Sequence, residues 1–131
     1  MEYLHSELTD TILKGFYAVC KALPCGLEIE VYRKALALEL ESLQLNVVEM
    51  KSFPIHYRQT IIGELSFDLL VNESVGLKLQ NSLTDITDLE LILNKKLRRL
   101  TPIEVMLILN FGIEGHHKRL FLGNEFKGNK N

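Results

Sequence analysis

The sequence contains no tryptophan, only two cysteines and three prolines, and only a small surplus of negative charge. A net charge of −2 gives the whole chain no basic excess that would attract nucleic acid or an anionic membrane. Cys20 and Cys25 form a lone C-x4-C pair, which is a poor zinc site and predicts reduced thiols. We also find no apolar run of membrane-spanning length and no signal-peptide pattern in residues 1–10, so we expect a cytoplasmic protein without membrane contact.

The composition is that of a packed globular protein. Hydrophobic residues make up 47% of the 131 residues and charged residues 24%. A chain of this length can bury one core but is too short for two domains of ordinary size. We therefore expect a single domain over residues 1–123, followed by a polar tail over residues 124–131.

The period of the apolar residues changes twice along the chain. Residues 6–23, 27–44 and 86–100 repeat apolar side chains at helical steps. Between the second and third of these segments lie four short runs typical of strands, and two more follow the third: NVVEM, FPIHY, TIIGELSFDLLV, SVGLKLQ, EVMLILNFG and KRLFL. The pattern predicts an α/β domain with the order ααββββαββ and a mostly antiparallel or mixed central sheet flanked by helices.

Four fragments, in this order and spacing, resemble the GxxExxY family of small bacterial domains, which lies within the PD-(D/E)xK nuclease superfamily. They are ELTDTILKGFYAVCKAL, CGLEIEVYRKALALEL, FPIHYRQTIIGELSFDLLV, and LILNFG followed by HKRL. Gly26 and Tyr32 match the glycine and the tyrosine of the motif that names the family. The resemblance implies a restriction-endonuclease-like core, in which two carboxylates hold a divalent cation against a phosphate while a lysine assists the attacking water.

The positions that would carry this chemistry depart from the family pattern, and they are Ile29, Asp68, Lys78 and Gln80. Asp68 matches the first acid of the nuclease signature, but Lys78 stands at the second acid and Gln80 at the lysine. Ile29 replaces the glutamate of the naming motif. The helix that follows usually offers a glutamine, and none occurs between residues 85 and 100. The resemblance thus implies a vestigial site.

The substitution at Lys78 is the most damaging to metal binding. An ammonium about 4 Å from a divalent cation is repelled by roughly 8 kcal/mol at an effective dielectric constant of about 20. Gln80 carries no charge and titrates no proton, so it cannot replace the lysine. We therefore expect no catalytic residue, metal or other cofactor. An ion pair between Lys78 and Asp68 would keep the vestigial site polar and would leave no room for a metal ion.

Two other groups of charged residues leave alternatives open. Acids near the site could have rebuilt a Mg²⁺ site, although solvated loop positions and helix starts are their commoner roles: Glu64, Glu73, Asp85, Asp88 and Glu90. A basic run could bind phosphates weakly, although a charged outer helix face is its commoner meaning: Lys95, Lys96, Arg98 and Arg99. The four histidines are expected at surface or turn positions.

Two classes of function follow from these observations. The first is a non-catalytic nuclease-fold domain that acts as an interaction or self-assembly module. Its partner would be another protein or a second copy of the chain, most simply in a homodimer formed through an exposed strand edge or an apolar helix face. The second is a divergent metal-dependent nuclease or weak nucleic-acid-binding protein that uses Asp68 and the basic helix. Lys78 and Gln80 favour the first.

Overall fold

The computed structural model describes residues 5–95, 97, 100–112 and 115–122, with only the backbone of residues 89, 90, 92 and 93. Its helices are α1 Ser6–Ala22, α2 Ile29–Ser42 and α3 Asp88–Lys95. Its strands are β1 Val47–Tyr57, β2 Thr60–Val71, β3 Val75–Gln80, β4 Val105–Asn110 and β5 His116–Phe121. The expected polar tail, residues 124–131, lies outside the described residues. No helix in the described ranges is long and apolar enough to cross a membrane.

The five strands form one mixed sheet in the order β1-β2-β3-β4-β5. Strands β3 and β4 are parallel, and the other neighbouring pairs are antiparallel. Parallel neighbours need a crossover connection, and the chain supplies one through α3. The expected α/β fold with a mixed central sheet is therefore confirmed.

One detail of the predicted order was wrong, because NVVEM and FPIHY form the single strand β1. The sequence between them, Lys51 and Ser52, stays in register with Phe67 and Ser66 of β2. Strand β1 lies at the edge of the sheet, where Pro54 costs no ladder hydrogen bond on the solvent side. Three strands rather than four thus precede α3. The periodicity predicted that the third helix ends near residue 100; the structure describes it as Asp88–Lys95, and residues 96, 98 and 99 lie outside the described residues.

Each face of the sheet carries its own apolar core. On one face, α1 and α2 pack on side chains of β2, β3 and β4. The two helices approach so closely that a Cβ at Gly15 would lie 2.7 Å from a methyl of Leu40. On the other face, Phe67, Met106 and Ile108 contact apolar residues of the α3 region. All six residues of β4 are buried, because this strand is covered from both sides.

Candidate functional site

Asp68 lies where β2 and β3 stop pairing. The register runs from Val71 opposite Val75 to Leu69 opposite Leu77, and it ends there. One step further, the Asp68 carboxylate accepts a hydrogen bond from the backbone N–H of Leu79 at 2.8 Å through Oδ2. The side chain thus replaces a backbone carbonyl as acceptor at the point where the two strands separate. This half-buried carboxylate has a structural role of its own.

Arg33 of α2 brings a cation to the same carboxylate. Its Nη1 lies 4.0 Å from Oδ1 of Asp68, and its Nε lies 3.6 Å from Oε1 of Glu49 on β1. The Arg33 side chain is only 17% exposed. Its buried Nε has no hydrogen-bond partner within the described part of the chain. A guanidinium therefore sits between two carboxylates at ion-pair distance from both.

The sequence reasoning missed Arg33 and Glu49. Arg33 follows Tyr32 in the segment that resembles the family motif, and Glu49 lies in a run predicted to be a strand. A charged residue on a helix or strand is usually solvated, so neither residue stood out. Their proximity depends on how α2 crosses the edge of the sheet, which no local pattern reports.

Lys78 lies on β3 opposite Ile108 of β4, so it projects from the face that α3 covers. The side chain is half-buried, and this burial lowers the pKa of Lys78, while the negative charge of Asp68 opposes the shift. The expected ion pair between Lys78 and Asp68 is not formed, although both residues are described. Arg33 is the ion-pair partner of Asp68 instead, because the carboxylate turns toward α2 and the Leu79 N–H.

Gln80 and Ile29 have structural roles: Gln80 forms a backbone hydrogen bond, and Ile29 packs against an apolar core. Gln80 ends β3 opposite Asn110, and its backbone carbonyl accepts a hydrogen bond from Phe111 at 2.8 Å. Ile29 begins α2 and packs against the core under the first two helices. A glutamate in this partly buried apolar position would need a charged or polar partner.

Gly26 and Tyr32, which resemble the glycine and the tyrosine of the GxxExxY motif, build a turn. Gly26 has a φ of +91°, a conformation that glycine adopts at little cost. The Tyr32 hydroxyl donates to the carbonyl of Pro24 at 2.6 Å and accepts from the N–H of Leu27 at 3.2 Å. Its ring stacks on Phe111 with centroids 4.6 Å apart and planes at 10°. These two residues therefore fix the link between α1 and α2.

The acids that could have rebuilt a metal site are dispersed. No group of three histidine, cysteine, aspartate or glutamate residues that could hold a metal ion occurs in the described ranges. Asp85 accepts a hydrogen bond from the N–H of Ile86 at 2.8 Å and lies 3.5 Å from Nδ1 of His116. Glu64 is exposed on β2 opposite Pro54. The side chain of Glu90 lies outside the described residues.

The basic run, the cysteines and the histidines are the remaining charged or reactive side chains. Lys95 is exposed in the last turn of α3, whereas residues 96, 98 and 99 lie outside the described part of the chain. Burial and the nearby Cys25 raise the pKa of Cys20 to about 11, so its thiolate is scarce at neutral pH. His117 contacts the Tyr17 hydroxyl through Nδ1 at 2.6 Å, and burial lowers the pKa of His117. Among the described residues, Lys95, Cys20 and His117 make no hydrogen bond or ion pair with Asp68.

One of three comparisons with known proteins found a match. Neither the curated proteins nor the solved structures gave a match to the chain. The family model that describes the PD-(D/E)XK nuclease superfamily matches residues 6–120. This match begins with the first residue of α1 and ends one residue before the end of β5, so it includes α1, α2 and nearly all of the mixed sheet. The chain therefore belongs to the PD-(D/E)XK nuclease superfamily.

Proposed function

We propose that this chain is a nuclease-fold domain of the GxxExxY type that lacks metal-dependent catalysis and acts as an interaction or self-assembly module. The observation that carries the proposal is the set of cations that the chain itself provides around Asp68. Arg33 lies at ion-pair distance from this carboxylate. Lys78 stands one strand away, at the position where the resemblance places the second acid.

Both cations oppose a divalent metal at this site. A metal bound to Asp68 would have to displace the guanidinium of Arg33 or share the carboxylate with it, and like charges at such distances repel strongly in a partly buried site. The second oxygen of Asp68 is engaged by the Leu79 N–H. In this proposal the positive charge of Arg33 holds the carboxylates of Asp68 and Glu49 near each other, so no metal ion is needed between them.

The assembly part of the proposal is supported by where apolar surface is exposed. Ten large hydrophobic side chains are exposed in the described ranges, and half of them belong to β1 and β2: Val48, Met50, Tyr57, Ile61 and Ile62. Association would remove this surface from water. A symmetric homodimer is the simplest such assembly.

The nuclease part is tested by incubating the purified full chain with single- and double-stranded DNA and RNA in Mg²⁺ or Mn²⁺. We expect no cleavage and no cation-dependent rise in melting temperature, since only a ligand that binds the folded state stabilises it. Cleavage that is abolished by Asp68→Ala would contradict the proposal. It would favour the alternative, a divergent nuclease in which other acids serve the metal.

A matched control restores the family pattern in the same fold. The double variant Lys78→Glu, Gln80→Lys places an acid and a lysine where the resemblance expects them. We expect this variant, unlike the parent chain, to gain stability when Mn²⁺ is added. A third variant that also carries Arg33→Met should gain more, because the competing guanidinium is gone.

A further inference from the structure

Helix α2 carries an apolar stripe on the side that faces solvent. Its buried side chains, which join the core on this face of the sheet, are Tyr32, Leu36, Ala37 and Leu40. The stripe consists of Val31, Ala35 and Leu38 and ends at Ser42, with steps of four, three and four residues. These are the steps between contact positions in a coiled coil. Leu38 is 69% exposed and Val31 43%, so the single chain leaves this contact surface in water.

A groove lies beside the stripe, between α1 and α2. It has a volume of about 300 Å³, and its walls include Ala18 and Ala22 of α1 and Ala35 of α2. A cavity of ~150 Å³ can hold a benzene ring, so this groove has room for a leucine side chain. Leu38 lies at the rim of the groove and projects into solvent. The same surface therefore presents a projecting apolar side chain and a recess that can accept one.

The exposed apolar side chains of β1 and β2 lie on less regular backbone. Met50 has a φ of +54°, and the pairing of β1 with β2 shifts between Ile55 and His56. Such irregularities interrupt the alternation of side chains between the two faces of a strand. Helix α2 is in contrast an uninterrupted helix of 14 residues, so helical geometry fixes the spacing along its stripe. A docking register can therefore be derived for α2.

We propose that a second copy of this chain docks on the groove, with the two α2 helices antiparallel about a two-fold axis at the middle of α2. In this register Leu38 of each chain enters the groove beside Ala35 of the partner subunit, and Val31 lies opposite the partner's Ser42. One surface supplies both the projection and the recess, as an isologous interface requires. The proposal rests on the self-assembly part of the proposed function and names its surface.

Charge supports a second copy as the occupant. Lys34 and Glu41 directly precede Ala35 and Ser42, so they lie two helical turns apart on one flank of the stripe. Both are exposed, and neither forms an ion pair with another described residue. A two-fold axis perpendicular to both helices keeps this flank on the same side in the two chains. Lys34 of each chain then lies near Glu41 of the partner subunit, which gives two opposite-charge pairs per dimer.

The first test measures the mass of the full chain by light scattering and sedimentation from micromolar to millimolar concentration. The interface consists mainly of short helices, so we expect a weak dimer that forms as concentration rises. Leu38→Lys should raise the dissociation constant by about tenfold or more, because it removes both inserted leucines and leaves two charges at the grooves. Leu83→Lys is the matched control, since Leu83 is 75% exposed in the link between β3 and α3. We expect it to dimerise like the parent chain.

The second test exchanges the charges. Lys34→Glu and Glu41→Lys should each weaken the homodimer by a few fold, because each places like charges across the axis. An equal mixture of these two variants should form a heterodimer more tightly than either variant forms its homodimer, since both contacts then join opposite charges. Sedimentation of one variant carrying a fluorescent label, with and without the other, measures this difference. A general loss of folding or solubility would not be reversed by mixing.

The outcomes separate this surface from self-assembly in general. A dimer that persists unchanged in Leu38→Lys, or that is lost in Leu83→Lys or Ile61→Lys instead, would overturn docking at the groove and leave self-assembly in place. Absence of a preferred heterodimer would overturn the antiparallel register. A constant mass of one chain at all concentrations would overturn self-assembly itself, and the nuclease assay would still test the other part of the proposed function.

Discussion

The surroundings of Tyr32 and of Asp68 differ in how their polar groups are satisfied. Tyr32 is 1% exposed, and its hydroxyl bonds two backbone groups of the turn that it supports. Asp68 has one good hydrogen bond, to Leu79, and a long ion pair to Arg33. The buried Nε of Arg33 has no hydrogen bond within the described residues. The Tyr32 hydroxyl thus has two hydrogen-bond partners, whereas the buried Nε of Arg33 has an ion-pair contact with Glu49 but no hydrogen bond within the described residues.

This difference separates two kinds of motif residue. Gly26 and Tyr32, which resemble the glycine and the tyrosine of the GxxExxY motif, support the backbone, so they are useful whether or not the domain performs chemistry. Asp68 resembles the first acid of the nuclease signature, and in this structure it lies at ion-pair distance from Arg33, while its negative charge also acts on Lys78. A superfamily match that covers the fold therefore carries information about the first kind of residue more reliably than about the second.

The largest expected effect follows from removing Tyr32. Tyr32→Ala should lower the free energy of unfolding by about 3–5 kcal/mol, because a large buried ring that stacks on Phe111 is lost. Tyr32→Phe keeps the ring and should lose only about 1–3 kcal/mol, the cost of leaving the Pro24 and Leu27 backbone groups without this partner. Urea denaturation of both variants gives the two values. Similar losses in both would mean that the hydroxyl dominates the region.

A smaller effect is expected at Asp68, and its sign is informative. In a metal site without its metal, removing one of several clustered acids relieves repulsion and tends to stabilise the fold. Here Asp68→Ala should destabilise it by about 1–3 kcal/mol, because the Leu79 N–H and the Arg33 guanidinium lose an acceptor and a counter-charge. Asp68→Asn retains an acceptor oxygen and should lose less. Urea denaturation in the presence of a chelator measures both, and an increase in stability for Asp68→Ala would contradict the structural role.

Much of the fold could be predicted because its signals are local. Helical spacing placed α1 and α2 within one or two residues of their ends, and strand periods placed β2, β3 and β4. The same reasoning divided β1 into two strands, because Lys51 and Ser52 resemble a turn in sequence. Their pairing with β2 overrides that local signal.

The site was less predictable, since its contacts join distant parts of the chain. The strand pattern predicted β3, but it could not show that Asp68 would accept a hydrogen bond from Leu79 or that Arg33 of α2 would lie beside Asp68. An ion pair between Asp68 and Lys78 was a reasonable expectation for opposite charges on adjacent strands. It failed because the two strands separate at that point.

The smallest effect concerns the charge of Lys78. Burial lowers the pKa of this ammonium below its ordinary value, so the folded state releases the proton more readily than the unfolded chain does. The charged form of Lys78 therefore lowers the free energy of unfolding at neutral pH. This destabilisation decreases as the pH rises through the folded pKa, and it stops changing above the ordinary lysine pKa of about 10.4.

Lys78→Met should therefore raise the free energy of unfolding slightly at neutral pH, by less than about 1 kcal/mol, since solvent screens half of the side chain and the attraction to Asp68 is lost. The advantage of the variant should shrink as the pH approaches that of ordinary lysine ionisation. Urea denaturation of both proteins across this range measures the trend, with the exposed Lys95→Met as the control for loss of a charge alone. A variant that is less stable than the parent chain at neutral pH would mean that the attraction between Lys78 and Asp68 outweighs the cost of burying the ammonium. The polar groups around Asp68 would then stabilise the fold, as those around Tyr32 do.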